Sequence, residues 1–188
     1  ISPIKAEYFR EEVRKILYNK YGKEKLYKEG LVVKSTLDTF YQKIADSVLV
    51  KGLIEYDKRR GWRGPLANID KKFLDTKILN NFINPFPNNW KITLVIEVDK
   101  DFIKVVNINN EIEIIELLNG NSWLENKKFI LGDLIFTEKI NHETLIRQIP
   151  EVNGAIIVID PHSGKVLALT GGFSFRLSEF NRSIQAKR

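Results

Sequence analysis

The sequence predicts an α+β fold: two helices, a small OB-like β-barrel and a separate β-hairpin. Three observations carry that expectation. Apolar residues recur at helical spacing over two stretches of the first 60 residues. Short β-branched runs separated by turn residues then fill the middle. Last, two apolar runs flank an Asp-Pro-His-Ser-Gly turn.

The first helix is expected from about residue 3 to residue 21. Tyr8, Phe9, Val13, Ile16, Leu17 and Tyr21 carry its periodicity, Pro3 suits a first turn and Gly22 a stop. Residues 31–37 are short and β-branched, so they read as a strand. Asp38 can cap a second helix whose apolar stripe is Phe40, Tyr41, Ile44, Ala45, Val48, Leu49, Leu53 and Tyr56. Asp57-Lys58-Arg59-Arg60 and Gly61-Trp62-Arg63-Gly64-Pro65 end it.

A short helix is expected near 71–82, then a connector over Asn84-Pro85-Phe86-Pro87-Asn88-Asn89. Strands follow at 91–98, 102–108, 111–117, 133–138 and 144–149. In the first of these, Ile92, Leu94, Ile96 and Val98 give a strongly apolar face opposite a mixed one. Five strands within about 60 residues suit an OB-like barrel. Residues 154–159 then read as a strand covered on both faces. Asp160-Pro161-His162-Ser163-Gly164 turns the chain, and Lys165-Val166-Leu167-Ala168-Leu169 runs back.

Composition excludes several functions. The chain has 188 residues, a net charge of +6, no Cys and no Met. Without Cys there is no disulfide, thiolate catalysis or Cys-based zinc site. No apolar run is long enough to span a bilayer. Residues 1–63 hold a net +6, residues 64–149 a net −2 and residues 150–188 a net +2. Lys outnumbers Arg by 21 to 9 in an Ile- and Asn-rich chain, which suggests AT-rich coding as much as a polyanion surface. No nucleic-acid partner is expected. A start at Ile1 with no Met is what an excised internal segment looks like, N-terminal processing being a second explanation.

No residue stands out as catalytic, cofactor-binding or metal-ligating. His142 and His162 have no ligand spacing between them, and both read as solvated. Gly171-Gly172 lacks a phosphate-loop pattern and reads as hairpin closure. Glu11, Glu12 and the set Glu111, Glu113 and Glu116 read as solvated faces. Asn181-Arg182-Ser183 is a formal glycosylation sequon, idle in a bacterial protein. Ser2-Pro3-Ile4-Lys5 is a literal S-x-x-K, but roughly one such match arises by chance at this composition. The best polyanion candidate, Lys58-Arg59-Arg60 with Trp62 and Arg63, is more simply a hinge in which Trp62 packs and the basic groups are solvated.

The residues from Gln148 onward carry a family resemblance. Gln148-Ile149-Pro150-Glu151-Val152-Asn153-Gly154-Ala155, Asp160 through Ala168, Gly171-Gly172-Phe173-Ser174-Phe175, Phe180-Asn181-Arg182 and Gln185-Ala186 closely resemble class A penicillin-binding proteins. Upstream, Tyr8-Phe9, Lys25-Leu26-Tyr27, Gly30-Leu31, Thr36-Leu37-Asp38, Gln42 and Gly61-Trp62-Arg63-Gly64-Pro65 look similar too.

The resemblance implies three parts. Residues 1–65 would begin the transpeptidase domain, 66–147 would be an OB-like insert, and 148–188 the first hairpin of the transpeptidase sheet. It also implies that the chain stops about four residues before the acylated serine of an S-x-x-K motif. No S-x-N or K-T-G occurs in the chain. The whole protein would then be a membrane-anchored, periplasmic peptidoglycan synthase with glycosyltransferase and transpeptidase activities, while this segment is a non-catalytic scaffold. Peptidoglycan or its precursors would meet other domains, and a protein partner could dock on the insert. No cofactor is implied. The alternative is a stand-alone OB-like interaction module for a protein or glycan.

Overall fold

A computed structural model of the chain describes residues 5–70, 72, 75–82, 89–117, 122–124 and 128–187. Pro3, the Ser2–Lys5 motif (all but Lys5), the connector up to Asn88 and part of the expected 71–82 helix lie outside the described residues. The chain forms two compact units, one of residues 1–53 with 152–188 and one of residues 54–151.

In the first unit, α1 (Glu7–Lys28) breaks at Gly22, whose φ of +77° suits glycine's left-handed freedom. Tyr8 and Phe9 bury its first turns against Leu169, with Val13, Leu37, Val166 and Phe175 around them. Tyr8 also donates its hydroxyl to Ser178 O at 2.7 Å and stands edge-on to Phe175 at 5.0 Å. The Asp38 carboxylate accepts the Phe40 and Tyr41 amides at 2.8 and 3.2 Å, capping α2 (Thr39–Lys58). One spine of α2 is buried: Gln42, Ala45, Leu49, Leu53 and Asp57. The expected stripe was too wide, since Phe40, Tyr41, Ile44, Val48 and Tyr56 are all exposed.

The hairpin pairs β7 (Ile156–Ile159) with β8 (Val166–Thr170). Gly164, at φ +67°, closes its turn. Expected coverage of β7 on both faces is not found, because Ile157 and Ile159 are exposed. Its only strand partner among the described residues is β8, so a periodicity suited to a sheet centre sits at an edge.

Residues 31–37 form no strand either. They reach the outer edge of β8 only at their end, where the Asp38 amide donates to Leu167 O at 2.8 Å and Thr36 Oγ1 donates to Val166 O. Two residues along that edge, the Gln42 side chain replaces a strand. Its Oε1 accepts the Leu169 amide at 3.0 Å and its Nε2 donates to Leu169 O at 3.1 Å.

The second unit is a six-stranded antiparallel sheet. A meander of β2 (Trp90–Val98), β3 (Phe102–Val106) and β4 (Ile112–Glu116) is followed by β5 (Asp133–Ile140), which returns beside β2. This is a Greek key. β6 (Glu143–Arg147) extends it beyond β5, and a two-residue β1 (Ala67–Asn68), absent from the sequence reading, pairs with β5. No ladder joins β4 to β6 among the described residues, yet Thr144 Oγ1 on β6 donates to Glu113 Oε2 on β4 at 2.6 Å. The sheet curls toward closure and stays open, as an OB-like barrel does.

Its core is Trp62, Val95, Ile103, Val105, Ile115, Leu124, Phe129, Ile135 and Ile146. The mixed face of β2 therefore supplies Val95 to the core, while Ile92 and Leu94 are buried on the opposite side. A bulge explains how Glu97 escapes that interior. Val95 pairs with Val105 but Glu97 with Lys104, so Ile96 is the extra residue. Strict alternation would aim Glu97 inward. The bulge instead puts it beside Lys104, 2.7 Å away.

Asp46 carries a pH prediction. It is half-buried on α2 and accepts from Gln42 Nε2 at 2.9 Å. Burial raises its pKa above the ordinary 3.8, against the opposing pull of the Gln42 and Thr170 hydrogen bonds. The folded state therefore holds this proton more tightly than the unfolded one. Its contribution is fully present below the unfolded value and is lost as pH rises through the raised native one. Asp46→Asn should thus raise Tm at pH 7 and show no gain below about pH 3.5, as followed by circular dichroism. Equal gains at both pH values would contradict this.

Candidate functional site

The densest polar cluster lies where the chain enters and leaves the β unit. Asp57, at the end of α2, is 1% exposed and accepts four hydrogen bonds. Arg63 Nη1 and Nη2 reach its two oxygens at 3.0 and 2.9 Å. Gln148 Nε2 donates to it at 2.8 Å and the Glu151 amide at 3.0 Å. Arg63 also pairs through Nε with Glu151 at 3.2 Å and donates to Ile149 O. Gln148 finally donates to Gly61 O at 3.0 Å and accepts the Arg63 amide at 3.2 Å. The planar guanidinium matches the carboxylate in a way one ammonium cannot.

Sequence reading placed Trp62 as a hinge among solvated charges, and the structure corrects both parts. Trp62 is a core residue, 5.6 Å from the Trp123 ring and 5.7 Å from Phe129. Arg63 is ion-paired, Lys58 pairs with Glu55 at 3.1 Å, and Arg59 lies over the Tyr56 ring. What remains open is too little for a polyanion surface. The signal for the cluster was legible only as Asp57 and Arg63, six residues apart and both short of an obvious partner.

A second constellation surrounds Gly171 and Gly172. Asn181 is 1% exposed, and its Oδ1 accepts from the Ser183 amide to cap the short α3 (Arg182–Gln185). Its Nδ2 donates to Glu12 Oε1 at 3.2 Å. A Cβ at Gly171 would stand 2.3 Å from Asn181 Oδ1, and one at Gly172 2.5 Å from the Tyr8 hydroxyl. These glycines permit close backbone approach, and no phosphate cradle is built there.

The other candidates are dispersed. His142 lies in the β5–β6 turn and His162 in the β7–β8 turn, both exposed. No group of three His, Asp or Glu side chains able to hold a metal occurs among the described residues. Ser47, Ser163 and Ser183 spend their hydroxyls on Ile44 O, Asp160 and Asn181. Glu11 and Glu12 pair with Arg14 and Lys15, Glu111 with Lys91, and Glu113 with Lys139. No described helix is long and apolar enough to cross a membrane. The described side chains support a scaffold.

The same arrangement of helices, curled sheet and hairpin is found in penicillin-binding protein 1A of Haemophilus influenzae. That crystal structure matches with a TM-score of 0.83 and 25% identity, over 97% of this chain and 28% of that one. In sequence, the chain is 39% identical to penicillin-binding protein 1A of Rickettsia typhi and 38% identical to that of Rickettsia prowazekii, each over 98% of its length. The Escherichia coli protein of the same name is 26% identical over 97%. No family model matches. The chain belongs with the penicillin-binding proteins of the 1A type, and spans about a quarter of the length of these curated relatives.

Proposed function

We propose that the whole protein is a bifunctional peptidoglycan synthase of the cell envelope, acting on the periplasmic face of the inner membrane to which it is anchored. One domain would polymerise lipid-linked disaccharide. Another would cross-link peptides through an acyl-serine that β-lactams intercept. The observation that supports this reading is a match running through both units at once, across 98% of the chain at up to 39% identity.

Within that protein this segment is a non-catalytic support. Residues 1–65 and 148–188 would form a wall of the transpeptidase domain, and 66–147 its OB-like insert. Purified alone, the chain should form no covalent adduct with a fluorescent penicillin. The same coding region extended through a downstream S-x-x-K should form one per molecule. A stoichiometric adduct on this chain would sink the scaffold reading.

A second reading rests on the exposed Ile112 and Ile114 of β4, which alternate with the acidic Glu111, Glu113 and Glu116. That surface suits a protein partner and repels nucleic acid. No salt-sensitive binding to single-stranded DNA is expected in a fluorescence titration, and its appearance would reverse this ranking.

A further inference from the structure

One buried donor in the β unit has no partner, and it lies on a residue that lines a cavity. Arg147 on β6 is 6% exposed. Its Nε donates to Glu138 Oε2 at 2.6 Å, and Glu138 accepts in addition from Asn89. Its Nη1 is buried without a hydrogen bond. Buried N–H groups are so regularly paired that an orphan marks a place for an acceptor from outside the chain.

Arg147 shares the lining of a cavity of about 200 Å³ with Trp62, Gly64, Pro65, Leu66 and Phe136. One water needs far less room, and a whole drug-sized ligand needs more. The space suits a single small group with an apolar body.

Charge decides which group. Arg63 and Gln148 also line the cavity, but their polar atoms are spent on Asp57, Glu151 and Gly61. The Arg147 charge is already balanced by the Glu138 carboxylate. A second anion at Nη1 would stand against Glu138 in a poorly solvated place, whereas a neutral acceptor would not. We propose that this cavity binds an amide carbonyl bearing a small apolar substituent, with Arg147 Nη1 as the donor and the Trp62, Leu66 and Phe136 side chains as its wall.

The test is an NMR titration of the ¹⁵N-labelled chain with N-methylacetamide. N-acetylalanine methylamide and N-acetylglucosamine are arms that separate a peptide-borne from a sugar-borne amide, and sodium acetate is the charged counterpart. Saturable shifts of the Trp62 indole, the Leu66 amide and the Arg147 side chain are expected, with acetate roughly tenfold weaker. Arg147→Lys keeps the charge beside Glu138 but loses the second donor, and should weaken binding roughly tenfold or more. Leu66→Trp, at a half-exposed wall position, should abolish the shifts and covers the case in which Arg147→Lys unfolds. Shifts that never saturate, that survive in both variants, or that acetate matches at equal strength overturn the proposal. So does a trapped water at Nη1 that the amide fails to displace.

Discussion

Replacing Asp57 by alanine is expected to destabilise the β unit by about 3 kcal/mol, the usual cost of removing one partner from a buried ion pair. Four donors lose their acceptor at once: two from Arg63, one from Gln148 and the Glu151 amide. The Arg63 side chain is 29% exposed, so water can recover part of its solvation, and the estimate sits at the lower end for that reason. The Glu151 amide and Gln148 have less recourse. Arg63→Ala should cost less than Asp57→Ala, and Arg63→Lys should fall between it and the wild type, because one ammonium cannot span both carboxylate oxygens. The Asp57/Arg63 double variant should cost less than the sum of the singles. All three Trp residues lie within the β unit, so Trp fluorescence during urea unfolding reads that unit alone. Hydrogen exchange should meanwhile quicken at residues 57–63 and 148–151. An Asp57→Ala chain as stable as the wild type would mean that the cluster is decorative.

The elements of this fold were legible where one physical signal governs them. Asp38 before an apolar run announces a helix, and the cap is there. Alternation and turn residues announce the strands of the β unit, and all five expected strands are there with trimmed ends. Misreadings arose where a residue's surroundings are supplied from far along the chain. Residues 31–37 have strand composition but contribute one backbone bond to β8, because Gln42 serves the next position on that edge. The bulge at Ile96 swaps the faces of β2, and nothing in local hydrophobicity marks it. Trp62 reads as a linker residue until β3, β4 and β5 close over it. The polar cluster is the least legible of all: Asp57 and Gln148 are 91 residues apart, and no spacing rule links them.

Gly132 should prove the least replaceable glycine of the β unit. Its φ of +93° already disfavours any L side chain. Space is the larger obstacle, since a Cβ built there would lie 2.1 Å from Ile69 O and 3.2 Å from Ile69 C. Those are backbone atoms, so no rotamer can yield. The close approach exists because the Ile69 amide donates to Gly132 O at 2.8 Å while the Gly132 amide donates to Val95 O at 2.9 Å. Asn68 reinforces it with bonds to Asp133 at 2.9 Å and Leu131 O at 3.2 Å. Gly132→Ala must therefore push β1 off β5, losing hydrogen bonds as well as adding strain, at a cost of about 3 to 5 kcal/mol. Gly61 is the matched control. It has φ +78° with nothing within 4 Å of its would-be Cβ, so Gly61→Ala bears backbone strain alone, about 1 kcal/mol. Both variants are read by the same Trp fluorescence unfolding curve. The gap between them measures the close approach itself, and equal costs would show that the left-handed backbone, rather than the contact with Ile69, is what Gly132 is there to provide.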